Sequence, residues 1–342
     1  MAKRKKVKKN KGARGPQGPR SPQRKRKNRA SRRQRLPVLQ PSLVLKRPSV
    51  AEDSEHTEYP EYLLLGAHVS TAGGTPNAPG RAKILDATAM QIFSKQANRW
   101  AERLCEDDEC RAFAAALTET AVRATAAHDS YLINLASPDP VLRERSIASF
   151  EAELRRCEAL GLQYLVSHPG NFIDDRASGI DRNAEALGIA LERVPGRLTV
   201  LMETTAGSGT SIGATFEELA MLLEMIPAPH RSRVGVCVDT AHIFAAGYDL
   251  VGDYEGVWAR LGDTIGMHRL GLIHLNDSKT PLGSRRDRHE LIAEGAIGEA
   301  PFRRIMTDSR LTSVAKVIET PKLNDAETTD RRMLELLRSY AQ

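Results

Sequence analysis

From Leu63 onward the chain alternates short apolar runs with longer amphipathic stretches. The short runs are Leu63–Ser70, Ala89–Lys95, Thr125–Tyr131, Tyr164–Pro169, Thr199–Thr205, Val234–Thr240, Leu270–Asn276 and Val314–Thr320. Their apolar stretches are continuous, which predicts strands of a parallel sheet buried on both faces. Between them lie helical candidates at Glu109–Ala124, Val141–Leu160, Asp181–Val194, Phe216–Ile226 and Ala326–Tyr340. Val141–Leu160 places Ile147, Leu154 and Cys157 on one face and arginines and glutamates elsewhere, as a helix covering a sheet should. Eight strands with helices between them in about 280 residues predict an α/β fold, a (β/α)8 TIM barrel. A doubly wound open sheet is the rival, and strand count alone does not separate the two.

Composition adds a second part. The first 50 residues hold 19 Lys and Arg, no acid and six of the 18 prolines. Residues 51–342 hold 31 Lys and Arg against 43 acids, a charge of −12, so the net +7 describes neither part. The chain therefore divides into a basic arm, 1–60, and a barrel domain, 61–342. The arm has too little apolar surface to offset its ordering entropy and is expected to be disordered. Its runs, such as Lys3-Arg4-Lys5-Lys6 and Arg24-Lys25-Arg26-Lys27, suit phosphate contacts on a nucleic acid or a nuclear import signal. A solubilising tail is the bland alternative. No apolar run reaches the ~20 residues of a membrane span, and the N-terminus has no secretory apolar segment. Cys105, Cys110, Cys157 and Cys237 show no paired spacing and read as reduced thiols of a cytosolic or nuclear protein.

The chemistry gathers at the ends of the expected strands. His128 closes the third, His168 the fourth, Glu203 the fifth, Asp239 the sixth, His274 the seventh and Glu319 the eighth. His242 follows the sixth strand, and Asp287 and His289 follow the seventh at a spacing that turns both side chains to one face of an extended segment. Alone, His168 reads as a core histidine, Asp239 as a helix cap and Glu319 as an ion-pair partner. Together they occupy six consecutive strand ends, which a barrel brings to one mouth. Carboxylates that dense in a low-dielectric mouth demand cations. Nine N/O ligands exceed one four-coordinate zinc and fit three ions if one carboxylate bridges two of them. His68, ending the first strand, is a candidate partner to a ligand. His56, His230 and His268 fall outside this register and carry no assigned chemistry.

These residues sit in longer strings: AHVSTAGG from Ala67, HDSYLINL from His128, HPG from His168, ETTAG from Glu203, VGVCVDTAHIFAAGYD from Val234, HLNDSKTPLGSRRDRH from His274 and ETPK from Glu319. In that order they closely resemble the endonuclease IV family of apurinic/apyrimidinic (AP) endonucleases, from about Leu63 to the C-terminus. The resemblance implies three Zn2+ ions, with His128 and His168 on one, Glu203 bridging it to a second completed by Asp239, His274 and Glu319, and His242, Asp287 and His289 on a third. Glu203 and Glu319 would then act in catalysis. It implies hydrolysis of duplex DNA 5′ to an abasic site, leaving a 3′-hydroxyl and a 5′-deoxyribose phosphate, together with trimming of blocked 3′ ends. Tyr131 and Leu132 match the family's wedge into the DNA stack, although composition alone makes Leu132 a core residue. A stack-entering arginine of the family falls at Asn98 here, with Arg99 adjacent. Ala293 stands where the family usually has glycine.

Two rivals remain at the level of sequence. A metal-dependent sugar isomerase or epimerase on a related barrel needs one or two metals and gives His242, Asp287 and His289 no role. An inactive nucleic-acid-binding scaffold gives the ligand set none. The expected protein is intracellular and, with no dimer seam evident, monomeric.

Overall fold

The computed structural model describes residues 63–342, so the reading of the basic arm lies outside the described residues. Eight parallel strands close into a barrel: β1 (Leu65–His68), β2 (Ala89–Phe93), β3 (Ala124–His128), β4 (Tyr164–Ser167), β5 (Thr199–Glu203), β6 (Val234–Asp239), β7 (Leu270–Leu275) and, last in the chain, β10 (Ala315–Ile318). Pairing of Leu65 with Lys316 and of Ala67 with Ile318 joins the last strand to the first, which removes the open-sheet alternative. A short antiparallel pair, β8 (Asp277–Ser278) and β9 (His289–Glu290), frames the loop after β7.

Period-two alternation decides what faces the barrel axis. The lower interior is small and apolar, built from Ala89, Ala124, Ala126, Val166, Leu201, Cys237, Leu272, Ala315 and Val317. One step further along the same strand faces stand Gln91, His128, His168, Glu203, Asp239, His274 and Glu319. A register slip of one residue would turn this whole set into the helix layer. Close strand approach is enforced at Gly66, where a Cβ would lie 1.6 Å from the Ala89 carbonyl oxygen.

The helices are α1 (Ala78–Ile84), α2 (Asp107–Thr118), α3 (Pro140–Leu160), α4 (Arg176–Arg193), α5 (Phe216–Met225), α6 (Thr240–Ala246), α7 (Tyr254–Thr264), α8 (Glu299–Thr307) and α9 (Ala326–Tyr340). Asp139 caps α3 by accepting from Val141 N and Leu142 N, and Gly161 ends it in the left-handed region. The sequence misjudged two boundaries. α2 stops at Thr118 because the Thr120 hydroxyl turns back onto the Leu117 carbonyl and the chain leaves for β3. α4 begins at Arg176, five residues before the expected start, because Asp175 caps Ser178 N. The amphipathic reading of α3 also needs correction: Glu151, Glu153 and Arg156 are buried along with Ile147, Leu154 and Cys157.

Candidate metal centre

Glu203, at the end of β5 and almost without solvent exposure, is the hub of the mouth. Its Oε2 lies 3.2 Å from His128 Nε2 and 2.9 Å from His168 Nε2. Its Oε1 lies 2.8 Å from His274 Nδ1 and 3.5 Å from His242 Nδ1. The two carboxylate oxygens thus serve two different groups of histidines. Glu319 Oε2 stands 3.4 Å from His274 Nδ1. Asp239 Oδ2 approaches both His274 Nδ1, at 3.9 Å, and His289 Nε2, at 3.6 Å. Asp287 faces His242 Nε2 with one oxygen and His289 Nε2 with the other, each at 3.2 Å.

Donor atoms gather into His128–His168–Glu203, Glu203–Asp239–His274–Glu319 and Asp239–His242–His289 groups. Asp287, half exposed, borders the third through its two histidine contacts. A zinc bonded at 2.0–2.1 Å in tetrahedral geometry spaces its ligand atoms about 3.3 Å apart. Most of the carboxylate–imidazole distances above lie within a few tenths of that value.

The remaining ring nitrogens show how these histidines are held. His128 Nδ1 donates to the Asp129 carbonyl at 3.0 Å, His242 Nδ1 to the Thr204 carbonyl at 2.8 Å and His289 Nδ1 to the Glu319 carbonyl at 3.3 Å. His274 Nε2 donates to Gln91 Oε1 at 2.9 Å. With one nitrogen so occupied, the neutral ring aims its other lone pair at a carboxylate, a repulsive contact unless a proton or a metal lies between. Burial opposes protonation of His128, yet the carboxylates of Glu203, Glu319 and Asp129 outweigh it and raise the group to about 10 in the metal-free protein. Burial likewise opposes protonation of His289, and Asp239 and Asp287 outweigh it to raise that group to about 9. Among the described residues, His289 Nε2 is a buried nitrogen without a hydrogen-bond partner. The donor set therefore fits divalent cations held by neutral imidazoles and carboxylates.

Several partners of these groups escaped the sequence reading. Gln91 donates from Nε2 to Glu319 Oε1 at 2.6 Å while its oxygen accepts from His274, fixing both. Asn276 donates to Asp239 Oδ2 at 2.6 Å and accepts from Glu319 N at 2.9 Å. A lone amide inside the apolar run Ala-Met-Gln-Ile-Phe was the available signal for Gln91. His68 meets Glu319 Oε1 at 3.2 Å. Cys237 also lies within reach of Glu203 and His274. Burial pushes its thiol up to about 12 in the metal-free protein.

The four residues expected to touch DNA occupy loops beyond β2 and β3, at the same end of the barrel. Asn98 and Arg99 are exposed, Leu132 is half-buried, and Tyr131 is 64 % exposed with its ring edge-on to Phe93 at 5.4 Å. A tyrosine so exposed beside a polar mouth does little for the core.

Residues 80–340 match a family described as a xylose isomerase-like TIM barrel. A Chloroflexus aurantiacus protein named probable endonuclease 4 is 43 % identical over 281 residues, covering 81 % of this chain and 98 % of that relative. The crystal structure of endonuclease IV from Thermus thermophilus superposes with a TM-score of 0.72 at 35 % identity, over 81 % of this chain and 98 % of that one. A 3-keto-D-glucoside 4-epimerase from E. coli aligns at TM-score 0.58 and 14 % identity, over 81 % of this chain and 99 % of that one, a likeness of fold alone.

Proposed function

The chain belongs to the endonuclease IV family, and from that premise we propose that this DNA-cleaving hydrolase is a zinc-dependent base-excision-repair enzyme that cuts 5′ to abasic sites. The products would be a 3′-hydroxyl and a 5′-deoxyribose phosphate, and the same site would trim blocked 3′ ends. One observation carries the reading: Glu203 divides its two oxygens between the His128–His168 pair and His274. A carboxylate so divided suits a bridged pair of ions, and His242, Asp287 and His289 supply donors for a third.

His128, His168 and Glu203 would hold one zinc, Glu203, Asp239, His274 and Glu319 the second, and His242, Asp287 and His289 the third. Bound there, zinc supplies hydroxide at neutral pH and Lewis acidity toward a phosphodiester. The chain's own part is to hold those donors fixed, His128, His242, His274 and His289 each by its second ring nitrogen. Glu203 and Glu319 supply the negative charge at the reacting end of the barrel. Gln91 and Asn276 hold Glu319, His274 and Asp239 in place, so little reorganisation accompanies charge development. Asn98, Arg99, Tyr131 and Leu132 would fill the space left as the lesion turns out of the stack, a movement that costs least where a base is already missing.

The partner is double-stranded DNA carrying abasic sites or blocked 3′ ends, met by a monomer inside the cell. Among the described residues no helix is long and apolar enough to cross a membrane. The test pairs metal analysis with incision of a synthetic duplex containing one abasic site. Three zincs per chain and the stated ends support the reading. One or two metals with sugar isomerisation and no incision would favour the epimerase alternative, and absence of both metal and incision would leave a scaffold.

A further inference from the structure

Residues 94–106 leave β2 at the mouth, carry Asn98, Arg99 and Trp100, and return to α2. This segment has little apolar surface with which to hold itself; Leu104 is 78 % exposed. Beneath it lies a group of charges with almost no access to water. The Lys95 and Arg156 side chains are each 2 % exposed, and Glu153 is fully buried.

Their hydrogen bonds converge on this one segment. Lys95 Nζ donates to the Arg99 carbonyl at 2.9 Å and to Glu102 Oε1 at 2.9 Å. Arg156, reaching up from α3, donates to Glu102 Oε2 at 2.6 Å, to the Arg103 carbonyl at 3.1 Å and to Ser94 Oγ at 2.8 Å. It also ion-pairs with Glu153 at 2.8 Å. Ser149, on α3, donates to Glu102 Oε1 at 2.6 Å. These bonds outweigh the cost of burial at Glu102 and hold its carboxyl below the usual range. At the tip, the Arg145 guanidinium covers the Trp100 ring at 4.3 Å.

Well-packed apolar residues would usually stabilise such a layer at least as well as buried ion pairs, so its stability alone does not explain these charges. What apolar packing does not supply is a set of donors aimed at chosen carbonyls of one loop. We propose that Lys95, Glu102 and Arg156 are positioning residues that preset the path of this loop, with the Arg99 carbonyl as the anchored point, so that the duplex meets an already formed tip. The proposal rests on the reading of Asn98 and Arg99 as lesion-contacting residues.

The test uses the zinc-loaded full chain as wild type, Lys95→Met, Lys95→Arg and Glu102→Gln. The chain has two tryptophans, and Trp258 is fully buried, so acrylamide quenching reports chiefly on Trp100. Lys95→Met and Glu102→Gln should raise that quenching with zinc content unchanged. They should weaken binding to abasic duplex on the order of ten-fold, as displaced positioning groups do. Affinity for undamaged duplex and the single-turnover rate at saturating enzyme should stay within about three-fold of wild type, because no group acting at the scissile bond has been moved. Lys95→Arg, which keeps a cation, should recover most of the discrimination.

Unchanged quenching and unchanged discrimination in folded Lys95→Met and Glu102→Gln proteins would overturn the proposal, and so would an equal loss on both duplexes. If Lys95→Met does not fold, Glu102→Gln and Ser149→Ala decide by the same readouts. A wild-type protein that fails to incise abasic duplex would sink the functional reading instead, while Trp100 quenching would still judge whether Lys95, Glu102 and Arg156 fix the loop.

Discussion

Replacing Glu203 by glutamine changes one atom at the point where two ligand groups meet. The side chain keeps its size and sits in a site with 1 % exposure, so the fold should tolerate the change sterically. Electrostatically the two groups do not suffer alike. The His128–His168–Glu203 group loses its sole carboxylate and is left with two neutral imidazoles and at most a neutral amide oxygen. The second group keeps His274 and the carboxylates of Asp239 and Glu319. The third, around His242 and His289, does not include Glu203 and should be spared. If the mouth holds the three zincs proposed, their number should therefore fall toward one or two, the His128–His168 ion leaving first on dilution into chelator. Loss of an ion that neutralises the phosphodiester should reduce single-turnover incision by roughly 10³-fold or more, at least the about 3–4 kcal/mol seen when one preorganised electrostatic group is removed. Elemental analysis, circular dichroism and incision of an abasic duplex on the same preparation make the assay. A folded Glu203→Gln protein holding three zincs and cutting at near wild-type rate would refute the bridged arrangement.

Three further outcomes follow from other parts of the chain. Ala293 is held at φ 66°, where a Cβ costs about 1–2 kcal/mol, so Ala293→Gly should raise stability by roughly 0.5–1 kcal/mol after the added freedom of the unfolded chain is counted; urea unfolding of both proteins decides it. Burial lowers the Lys316 ammonium to about 8 although it donates to the Leu311 and Val314 carbonyls. Its folded value lies below its unfolded one, so the cost of charging it is fully present below pH 8 and fades as pH rises toward 10.5. The stability of Lys316→Met relative to wild type should accordingly fall by up to about 3 kcal/mol between pH 7 and pH 10, and a pH-independent difference would contradict the assignment. Deleting residues 1–50 removes 19 cations from a chain whose remainder carries −12. Non-specific duplex affinity should drop and its salt dependence flatten, by about 0.9 in log–log slope per lost phosphate contact, while the saturated chemical step stays as it was; an unaltered slope would make the arm a targeting or protein-binding segment.

Much of this molecule was legible along the chain because strand facing is a local property. Continuous apolar runs gave eight strands, and the alternation within each run fixed that Leu201 and Glu203, or Leu272 and His274, share a face. Once the strands were taken as parallel, their ligand-type ends had to lie at the same end of the sheet, and only closure into a barrel gathers them at one mouth. What remained hidden depends on contacts between distant segments. The pairing of β1 with β10 that closes the ring joins residues about 250 positions apart, and no local pattern carries it. Gln91 meets His274 and Glu319 only after that closure, and Asn276 meets Asp239 only when β6 and β7 lie side by side. Glu153 and Arg156 read along α3 as solvent-facing charges. Only the docking of the loop after β2 onto that helix makes them buried partners of Ser94, Glu102 and each other. Sequence determined which side chains face inward, because a peptide's pleat repeats every two residues; tertiary structure decided which of them touch, because a barrel's closure brings residues together without regard to their separation along the chain.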